Sequence, residues 1–204
     1  MPKTWVRERK KEHYYRKAKK EKLRSRAAYK LLQVARKYRF IKPNAIIVDL
    51  GAAPGGWIQA CLRIVGDEGL VLAVDLKQIE PFDSPNVRTL IDDITNPQAV
   101  HSIREFLPRP ADVVISDVSP NISGIWELDH FRQIELARCS LHIANSVLRS
   151  KGNLFVKVFQ GKVLDDFVRE VKQNFASVRL VKPKASRARS AELYVLGMSL
   201  RRTH

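Results

Sequence analysis

The clearest pattern along the chain is an apolar run that passes into a glycine-rich turn and then into helical spacing. Residues 45–50 are typical of a buried strand, residues 51–56 of a loop, and residues 57–65 of a helix. Open α/β sheets bind nucleotide-like ligands at such a junction, because glycines let the backbone approach the ligand and the helix N-terminus offers free N–H groups. We therefore expect a ligand against residues 51–57.

The rest of the chain alternates apolar runs with amphipathic segments. This alternation predicts a doubly wound α/β fold with a mostly parallel, seven-stranded, Rossmann-like sheet, and places the ligand at the carboxyl ends of the strands. A helix is also predicted over residues 24–40, whereas residues 4–22 have helical propensity but few apolar positions for tertiary packing. The other predicted strands are 70–75, 87–91, 111–117, 153–159, 178–181 and 191–198, and the other predicted helices are 97–107, 128–150 and 163–174.

The turn and the next two strands indicate which ligand is bound. The second strand ends at Asp75, 24 residues after Gly51, where such folds hydrogen-bond a ribose. A dinucleotide pattern needs glycine where this chain has Ala53, which crowds a pyrophosphate. S-adenosylmethionine, which has no pyrophosphate, therefore fits better than NAD, and a purely structural turn is the remaining alternative. After the third strand we favour Asp93 over Asp92 as an adenine contact, although either could cap the following segment.

The end of the fourth strand bears on the acceptor of a methyl group. Asp117 is followed by Val118, Ser119 and Pro120, not by the Pro-Pro-aromatic sequence typical of enzymes that methylate exocyclic amines. Carbon methylation of pyrimidines usually needs a cysteine nucleophile, and both cysteines lie in predicted helices away from the strand ends. Of the three kinds of acceptor atom, nitrogen, carbon and oxygen, oxygen is therefore the one that remains.

The net charge of +16 is concentrated at the two ends of the chain. Residues 1–42 have a net charge of +14 and residues 179–204 of +6, whereas residues 43–178 have −4. Basic ends indicate a nucleic-acid backbone as the partner. A solubilising tail and an anionic membrane are alternatives, but the basic stretch lacks the apolar face of a membrane-lying helix. The predicted phosphate contacts are Arg7, Lys10, Lys11, Lys17, Lys20, Arg187 and Arg189.

Length and cysteine usage limit the remaining classes. A chain of 204 residues with 45% apolar content can form one sizeable core. Cys61 and Cys139 have no paired spacing, so neither a disulfide framework nor a zinc site is indicated. No uncharged apolar run approaches the length of a membrane span, and no signal peptide is apparent. We expect a cytoplasmic monomer without metal or membrane association.

Three charged residues in strand-like segments point to a reaction centre. Lys157 lies within the apolar run 154–159, where a lysine is costly unless it is paired or functional. Asp117 ends a buried strand and Glu192 begins one, so the opposite charges should form one cluster. An ion-pair network that only supports the sheet is the alternative.

At this point the chain resembles the FtsJ/RrmJ (RlmE-type) family of ribose 2′-O-methyltransferases that use S-adenosylmethionine. The resemblance lies in residues 24–31, 49–57, 116–124, 156–161 and 186–194, in the order found in the family, and its N-terminus is similar to archaeal members. It implies a catalytic tetrad and a set of methyl-donor contacts. The tetrad is Lys30, Asp117, Lys157 and Glu192, and the donor contacts are Gly55, Trp57, Asp75, Asp93 and Asp117.

The resemblance also implies the substrate, and the chemistry of methyl transfer to a hydroxyl suggests the roles of these residues. The expected acceptor is a uridine of large-subunit (23S) ribosomal RNA, with a tRNA anticodon loop and a non-catalytic ribosome-assembly factor as alternatives. Lys157 is the expected general base, oriented by Asp117 and Glu192. Asp49, Asp75 and Asp117 are expected to provide carboxylates for the sulfonium. We expect residues 1–42 to be a basic helical RNA-binding extension and residues 43–204 to be the methyltransferase domain.

Overall fold

A seven-stranded sheet forms the centre of the computed structural model, which describes residues 14–186 and 190–201. The strands are β1 Ile46–Leu50, β2 Leu70–Asp75, β3 Val87–Ile91, β4 Ala111–Ser116, β5 Leu148–Phe159, β6 Phe175–Val181 and β7 Glu192–Leu200. Their order is β3-β2-β1-β4-β5-β7-β6. Strands β1 to β5 pair in parallel, and β7 runs antiparallel to both β5 and β6. The predicted α/β fold with a mostly parallel seven-stranded sheet is confirmed.

Helices cover both faces of this sheet. They are α1 Ala28–Tyr38, α2 Gly56–Val65, α3 Ala99–Phe106, α4 Trp126–Val147 and α5 Leu164–Asn174. Successive strand residues point to opposite faces, so Ile47 packs with the core around α1 and α2, and Val48 with the core around α3, α4 and α5. This two-sided burial explains why the strands have nearly continuous apolar sequences.

Strand β5 is longer than its sequence pattern predicted. A helix was expected as far as residue 150, but α4 ends at Val147 and β5 begins at Leu148. Leu148 pairs with Ala111 of β4, and the register shifts before Val113 pairs with Asn153. Residues 148–150 have a helical sequence pattern, but pairing with β4 places them in a strand. This is an effect of tertiary structure.

The described part of the N-terminal region packs onto α1. Residues 14–20 are helical, and Ala18 and Leu23 are buried. The rings of Tyr14 and Tyr29 lie 5.5 Å apart, and Gln33 donates a hydrogen bond to the Tyr14 hydroxyl at 2.8 Å. The segment from residue 14 is thus held more firmly than its few apolar positions indicated. The predicted helix over residues 4–13 lies outside the described residues, and the division at residue 42 stays a prediction.

Packing of α1 on the sheet can be tested at Leu31, which is fully buried in the core shared with β1 and β2. We expect Leu31→Ala to lower the free energy of unfolding by about 2–5 kcal/mol, through lost transfer energy and the cavity left behind. Denaturant unfolding measures this change. Arg36→Ala, which removes an exposed side chain from the same helix, should stay within about 0.5 kcal/mol of the wild type. Equal stability of the Leu31 and Arg36 variants would contradict this packing.

Candidate active site

A cavity of about 520 Å³ opens at the carboxyl ends of β1, β2 and β4. The strand order reverses here, because β1 is flanked by β2 on one side and by β4 on the other. This switch point is where open α/β sheets bind ligands. The lining residues include Gly51, Ala53, Asp75, Leu76, Asp92, Asp93, Ile94, Asp117 and Val118. Of the predicted donor contacts, Asp75, Asp93 and Asp117 therefore face one cavity.

The glycine turn is fixed against the end of β2. Asp75 Oδ2 accepts a hydrogen bond from the Ala53 N–H at 2.9 Å, and its Oδ1 accepts one from the Lys77 N–H at 2.9 Å. Gly51 has a φ of +75°, and a Cβ there would lie 2.7 Å from Val118 Cγ2. Only glycine fits this position, so the turn brings backbone to the cavity wall as the sequence predicted.

Two apolar side chains of the cavity were not singled out from the sequence. Leu76 is two-thirds exposed directly after β2, and Ile94 is buried after β3. Both add apolar surface to the cavity beside the acidic strand ends, which suits a flat ring such as adenine. Exposure of Leu76 depends on the tertiary fold, so periodicity alone could not have distinguished it from a core residue.

The acids after β3 both line the cavity. Asp93 Oδ1 accepts hydrogen bonds from the Thr95 N–H at 2.8 Å and the Thr95 hydroxyl at 2.7 Å, and Asp92 Oδ1 accepts one from the Asp93 N–H at 2.8 Å. Asp93 thus stabilises the local turn rather than the first turn of α3, which begins at Ala99. Its contact with adenine stays a prediction.

Gly55 and Trp57 lie at the start of α2 and do not appear in the cavity wall. The Trp57 indole is buried, donates to the Ala27 carbonyl oxygen at 2.9 Å and stacks on Phe155 with ring centroids 5.6 Å apart. Its side chain therefore holds α1 against the sheet, and a donor contact could involve only its main chain. The predicted donor contacts of Gly55 and Trp57 stay predictions.

An arginine clasp, formed by Arg24 and Phe82, covers the outer side of the glycine turn. The Arg24 guanidinium donates to the Pro54, Glu80 and Pro81 carbonyl oxygens at 3.3, 2.7 and 2.7 Å, and lies 3.7 Å from the Phe82 ring centroid. A Cβ at Gly55, whose φ is +105°, would lie 2.6 Å from Phe82. Gly55 therefore allows this close packing.

Asp49 does not have the role that the sequence suggested. Its carboxyl group is fully buried, and it has no hydrogen-bond partner among the described residues. Burial, followed by the charges of Asp117 and Asp75, raises the pKa of Asp49 well above its usual value. Asp49 is also absent from the cavity wall, so its position and its burial both argue against the expected contact with a sulfonium. Asp75 and Asp117 are the members of that set that line the cavity.

The four residues of the predicted tetrad meet beside this cavity. Lys30 Nζ lies 2.5 Å from Glu192 Oε1, and Lys157 Nζ lies 3.2 Å from Asp117 Oδ1. The Tyr194 hydroxyl connects the two pairs, because it lies 3.0 Å from both Asp117 Oδ1 and Glu192 Oε1. Sequence analysis missed Tyr194, although a hydroxyl on a buried strand requires a partner and could have drawn attention to it.

Strand register explains why these residues come together. The antiparallel pairing of β5 and β7 sets Lys157 opposite Tyr194 and Phe159 opposite Glu192. The parallel pairing of β4 and β5 sets Ser116 opposite Val156, so the next residues, Asp117 and Lys157, are neighbours. Lys30 reaches the same point from α1, with a largely buried side chain.

Hydrogen bonds hold the Lys157 amine in a fixed position. The residue is only 5% exposed, and Nζ donates to the Asp117 carbonyl oxygen at 2.5 Å and to Ser119 Oγ. Gln133 Nε2 donates to the Lys157 and Val118 carbonyl oxygens, each at 3.1 Å, and so ties β5 and the loop after β4 to α4. Ser119 and Gln133 were not predicted as site residues.

Opposing effects set the ionisation of the acidic and phenolic groups. Burial alone would raise the pKa of Glu192, but the charge and hydrogen bond of Lys30, the charge of Lys157 and the Tyr194 hydroxyl outweigh it and lower that pKa. Burial, followed by the charges of Asp117 and Glu192, raises the pKa of Tyr194 well above its usual value. Glu192 is therefore a carboxylate and Tyr194 a neutral hydroxyl at pH 7.

Within the described ranges, no group of three or more His, Cys, Asp or Glu side chains is arranged to hold a metal ion. Cys61 and Cys139 are both free thiols. None of the helices in the described part of the chain has the length and apolar character needed to cross a bilayer.

Solved structures with the same fold define the class of protein. A crystal structure described as a putative ribosomal RNA methyltransferase from Plasmodium falciparum has a TM-score of 0.76 and 28% identity, over 87% of this chain and 98% of that one. A putative methyltransferase from Streptococcus mutans in complex with SAH has a TM-score of 0.53 and 16% identity, over 86% and 96% of the two chains, and supports the fold alone. The fold and site are those of an α/β methyltransferase.

Sequence relatives identify the family. The ribosomal RNA large subunit methyltransferase E of Methanocaldococcus jannaschii is 48% identical over 95% of this chain and 80% of its own length. The protein of the same name from Methanothermobacter thermautotrophicus is 49% identical over 97% and 93% of the two chains. The chain belongs to the FtsJ-like methyltransferase family, whose pattern matches residues 23–200. The resemblance drawn from the motifs is confirmed.

The ion pair of Glu192 gives a pH-dependent prediction. Because the pKa of Glu192 is lowered from 4.5 in the folded protein, its contribution to stability is complete above about pH 4.5 and is lost as the pH falls through the folded-state value. We expect Glu192→Gln to lower the free energy of unfolding by about 1–3 kcal/mol at pH 7. The difference from wild type should shrink below about pH 4.5. Denaturant unfolding at pH 7 and pH 3.5 measures both.

The exposed Glu105, which lies 3.3 Å from His101 at the surface, provides a matched control. Glu105→Gln should change stability little at either pH, since surface pairs contribute about 0–1 kcal/mol. A Glu192→Gln effect of the same size at pH 3.5 and pH 7 would contradict the assigned ion pair.

Proposed function

We propose that the protein transfers the methyl group of S-adenosylmethionine to a ribose 2′-hydroxyl of RNA, and that the target is a uridine of large-subunit (23S) ribosomal RNA. The observation that carries this proposal is the double position of Asp117, which lines the cavity and pairs with Lys157. The proposed donor site and the proposed proton acceptor, Lys157, are therefore both in contact with Asp117. The names of the relatives support ribosomal RNA as the substrate.

The cavity suits a methyl donor that contains adenine and ribose. Its volume of about 520 Å³ lies in the usual range for small-molecule sites. Asp75 would hold the ribose, and Asp93, Leu76 and Ile94 would surround the adenine. Gly51 allows the backbone to approach the ligand. When bound, S-adenosylmethionine supplies an electrophilic methyl group and leaves as S-adenosylhomocysteine.

The protein must align a weakly nucleophilic hydroxyl and remove its proton. Lys157 suits this task, because its surroundings accommodate both forms of the amine. A neutral amine can donate its two N–H groups to the carbonyl oxygen and Oδ1 of Asp117, and its lone pair can take the proton of the ribose hydroxyl in place of the contact with Ser119 Oγ. After it takes the proton, the ammonium is balanced by the Asp117 carboxylate. We assign Lys157 as the general base.

Lys30, Glu192 and Tyr194 keep this base in place. Glu192 holds Lys30 at 2.5 Å, and the Tyr194 hydroxyl, 3.0 Å from Asp117 Oδ1, joins that pair to the carboxylate beside Lys157. Lys30 and Glu192 thus act on the proton-accepting group through Tyr194 and Asp117.

The basic N-terminal region would bind the RNA backbone. Lys17 and Lys20 are exposed on the helical segment 14–20, which packs beside α1 and so connects to the Lys30 side of the site. The other predicted phosphate contacts, Arg7, Lys10, Lys11, Arg187 and Arg189, lie outside the described residues and stay predictions.

We further propose that the protein acts in the cytoplasm as a monomer. Sedimentation with and without RNA would test the monomeric state.

Mapping 2′-O-methyl groups on ribosomal and transfer RNA after incubation with labelled donor tests the function. We expect a methylated ribose in large-subunit RNA with wild-type protein. With Lys157→Ala, the single-turnover rate should fall by about 100-fold or more, because general base catalysis is lost. Donor affinity, measured by calorimetry, should stay unchanged.

The matched control is Lys151→Asn, at the other end of the same strand. Lys151 is exposed and has a φ of +62°, which asparagine tolerates. This variant loses one charge and should methylate at the wild-type rate.

Methylation of a base, methylation of transfer RNA alone, or full activity of Lys157→Ala would each overturn part of the assignment.

The paired substitution Lys17→Gln and Lys20→Gln tests the RNA-binding role of the N-terminal region. Removal of each phosphate-binding charge should reduce the slope of log affinity against log salt concentration by about 0.7–0.9. We expect weaker RNA binding at 50 mM and 200 mM salt with a shallower slope, and unchanged donor affinity. Filter binding measures the RNA affinity at each salt concentration. Unchanged affinity and slope would count against this assignment.

A further inference from the structure

Apolar side chains are exposed at the start of α4, beside the proposed reaction centre. Ile122, Ile125 and Trp126 are 66%, 60% and 45% exposed, and the Phe159 ring stacks on Trp126 with centroids 5.9 Å apart. We call these four residues the stacking surface. The tetrad and the donor cavity do not use it, and burial in the chain does not explain it.

Three rings form a stack at the centre of this surface. The Trp126 ring is nearly parallel to its two neighbours, Phe159 and His130, with interplanar angles of 23° and 17° and centroid distances of 5.9 and 6.3 Å. His130 is buried, and its Nε2 accepts a hydrogen bond from the Val163 N–H at 3.3 Å. The stack therefore rests on a fixed ring, while almost half of Trp126 stays open to solvent.

Hydrogen bonds make the loop that carries the surface rigid. Asp129 Oδ1 accepts from the N–H and hydroxyl of Ser123, each at 2.8 Å, and Oδ2 accepts from the Gly124 N–H at 3.1 Å. Asp129 is thereby committed to the loop, and these contacts lower its pKa. The side chains of Ile122, Ile125 and Trp126 are thus presented outwards from an ordered backbone.

The surface lies next to the atoms that act on the ribose. Phe159 is two residues beyond Lys157 on β5, a separation of about 7 Å along a strand. The loop that bears Ile122 begins at Asp117 and Ser119, which hold the Lys157 amine. The surface is therefore close enough to Lys157 for a base next to the reacting ribose to reach it.

We propose that the stacking surface receives an unpaired nucleobase adjacent to the methylated nucleotide. An indole that is 45% exposed suits a base, because aromatic side chains stack on bases of any sequence. Exposed cations, Arg132 on α4 and Lys162 after β5, are available nearby for the flanking phosphates. Glu127, the other acidic residue of this helical turn, is exposed and would stay in solvent. This inference rests on the proposed function and specifies the form of RNA that the site accepts.

Removal of the indole tests the proposal. With an unpaired RNA oligonucleotide that contains the mapped target, Trp126→Ala should weaken RNA binding by about 5- to 100-fold. Trp126→Phe, which keeps a stacking ring, should recover most of this affinity. Donor affinity should be unaltered in both variants. Phe106→Ala serves as the control, because Phe106 is a partly exposed aromatic at the end of α3, where its carbonyl oxygen accepts a hydrogen bond from Arg88 of β3.

A double-mutant cycle separates base stacking from a change in the loop. Removal of one base next to the target, as an abasic nucleotide, should weaken binding to the wild-type protein but not to Trp126→Ala. Equal losses with both proteins at every flanking position would overturn the proposal. So would wild-type RNA affinity of Trp126→Ala, or an effect confined to self-association or to binding of a ribosomal protein. Absence of RNA methylation by the wild-type protein would instead refute the proposed function.

Discussion

Burial of the Lys157 amine is the constraint on which the site depends. A lysine that is 5% exposed between apolar strand residues is tolerated only with close polar partners. Asp117 provides a carbonyl oxygen and a carboxylate, and Tyr194 carries the network to Glu192 and Lys30. Four structural elements must therefore be in register before the charge is satisfied. The same requirement gives the network its defined geometry, since removal of any one member leaves another buried polar group without a partner.

The arrangement of charge separates the two substrates. Asp75, Asp93 and Asp117 line the donor cavity, and carboxylates favour a positively charged sulfonium. In the proposed function, the basic segment 14–20, which packs beside α1 on the Lys30 side, favours the polyanionic acceptor. Asp49 is fully buried and does not line the cavity. The proposed stacking surface adds an apolar contribution to acceptor binding that salt does not screen.

Much of the fold could be predicted from local pattern. Strands β2 and β3 have the predicted bounds, 70–75 and 87–91, and the other elements differ by a few residues at their ends. The largest difference is the start of β5, where pairing of Leu148 with Ala111 replaces the predicted last turn of a helix. That pairing joins residues far apart in sequence, so periodicity within the segment could not reveal it. Trp57 shows a similar limit, because its motif predicted a ligand contact while its indole packs under α1.

The sequence by itself determined the parallel α/β architecture, the glycine turn, the acidic strand ends and, through its motifs, the identity of the tetrad. These features depend on residue type and short spacing, which the chain carries locally. Only the tertiary structure decided that Tyr194 links the two lysine–carboxylate pairs, that the Asp49 carboxyl group is buried, and that Trp126 is left exposed near Lys157. Each of these depends on burial or on contacts between distant segments. Such properties exist only after the sheet has assembled, because the dielectric surroundings and neighbours of a side chain are set by the whole fold.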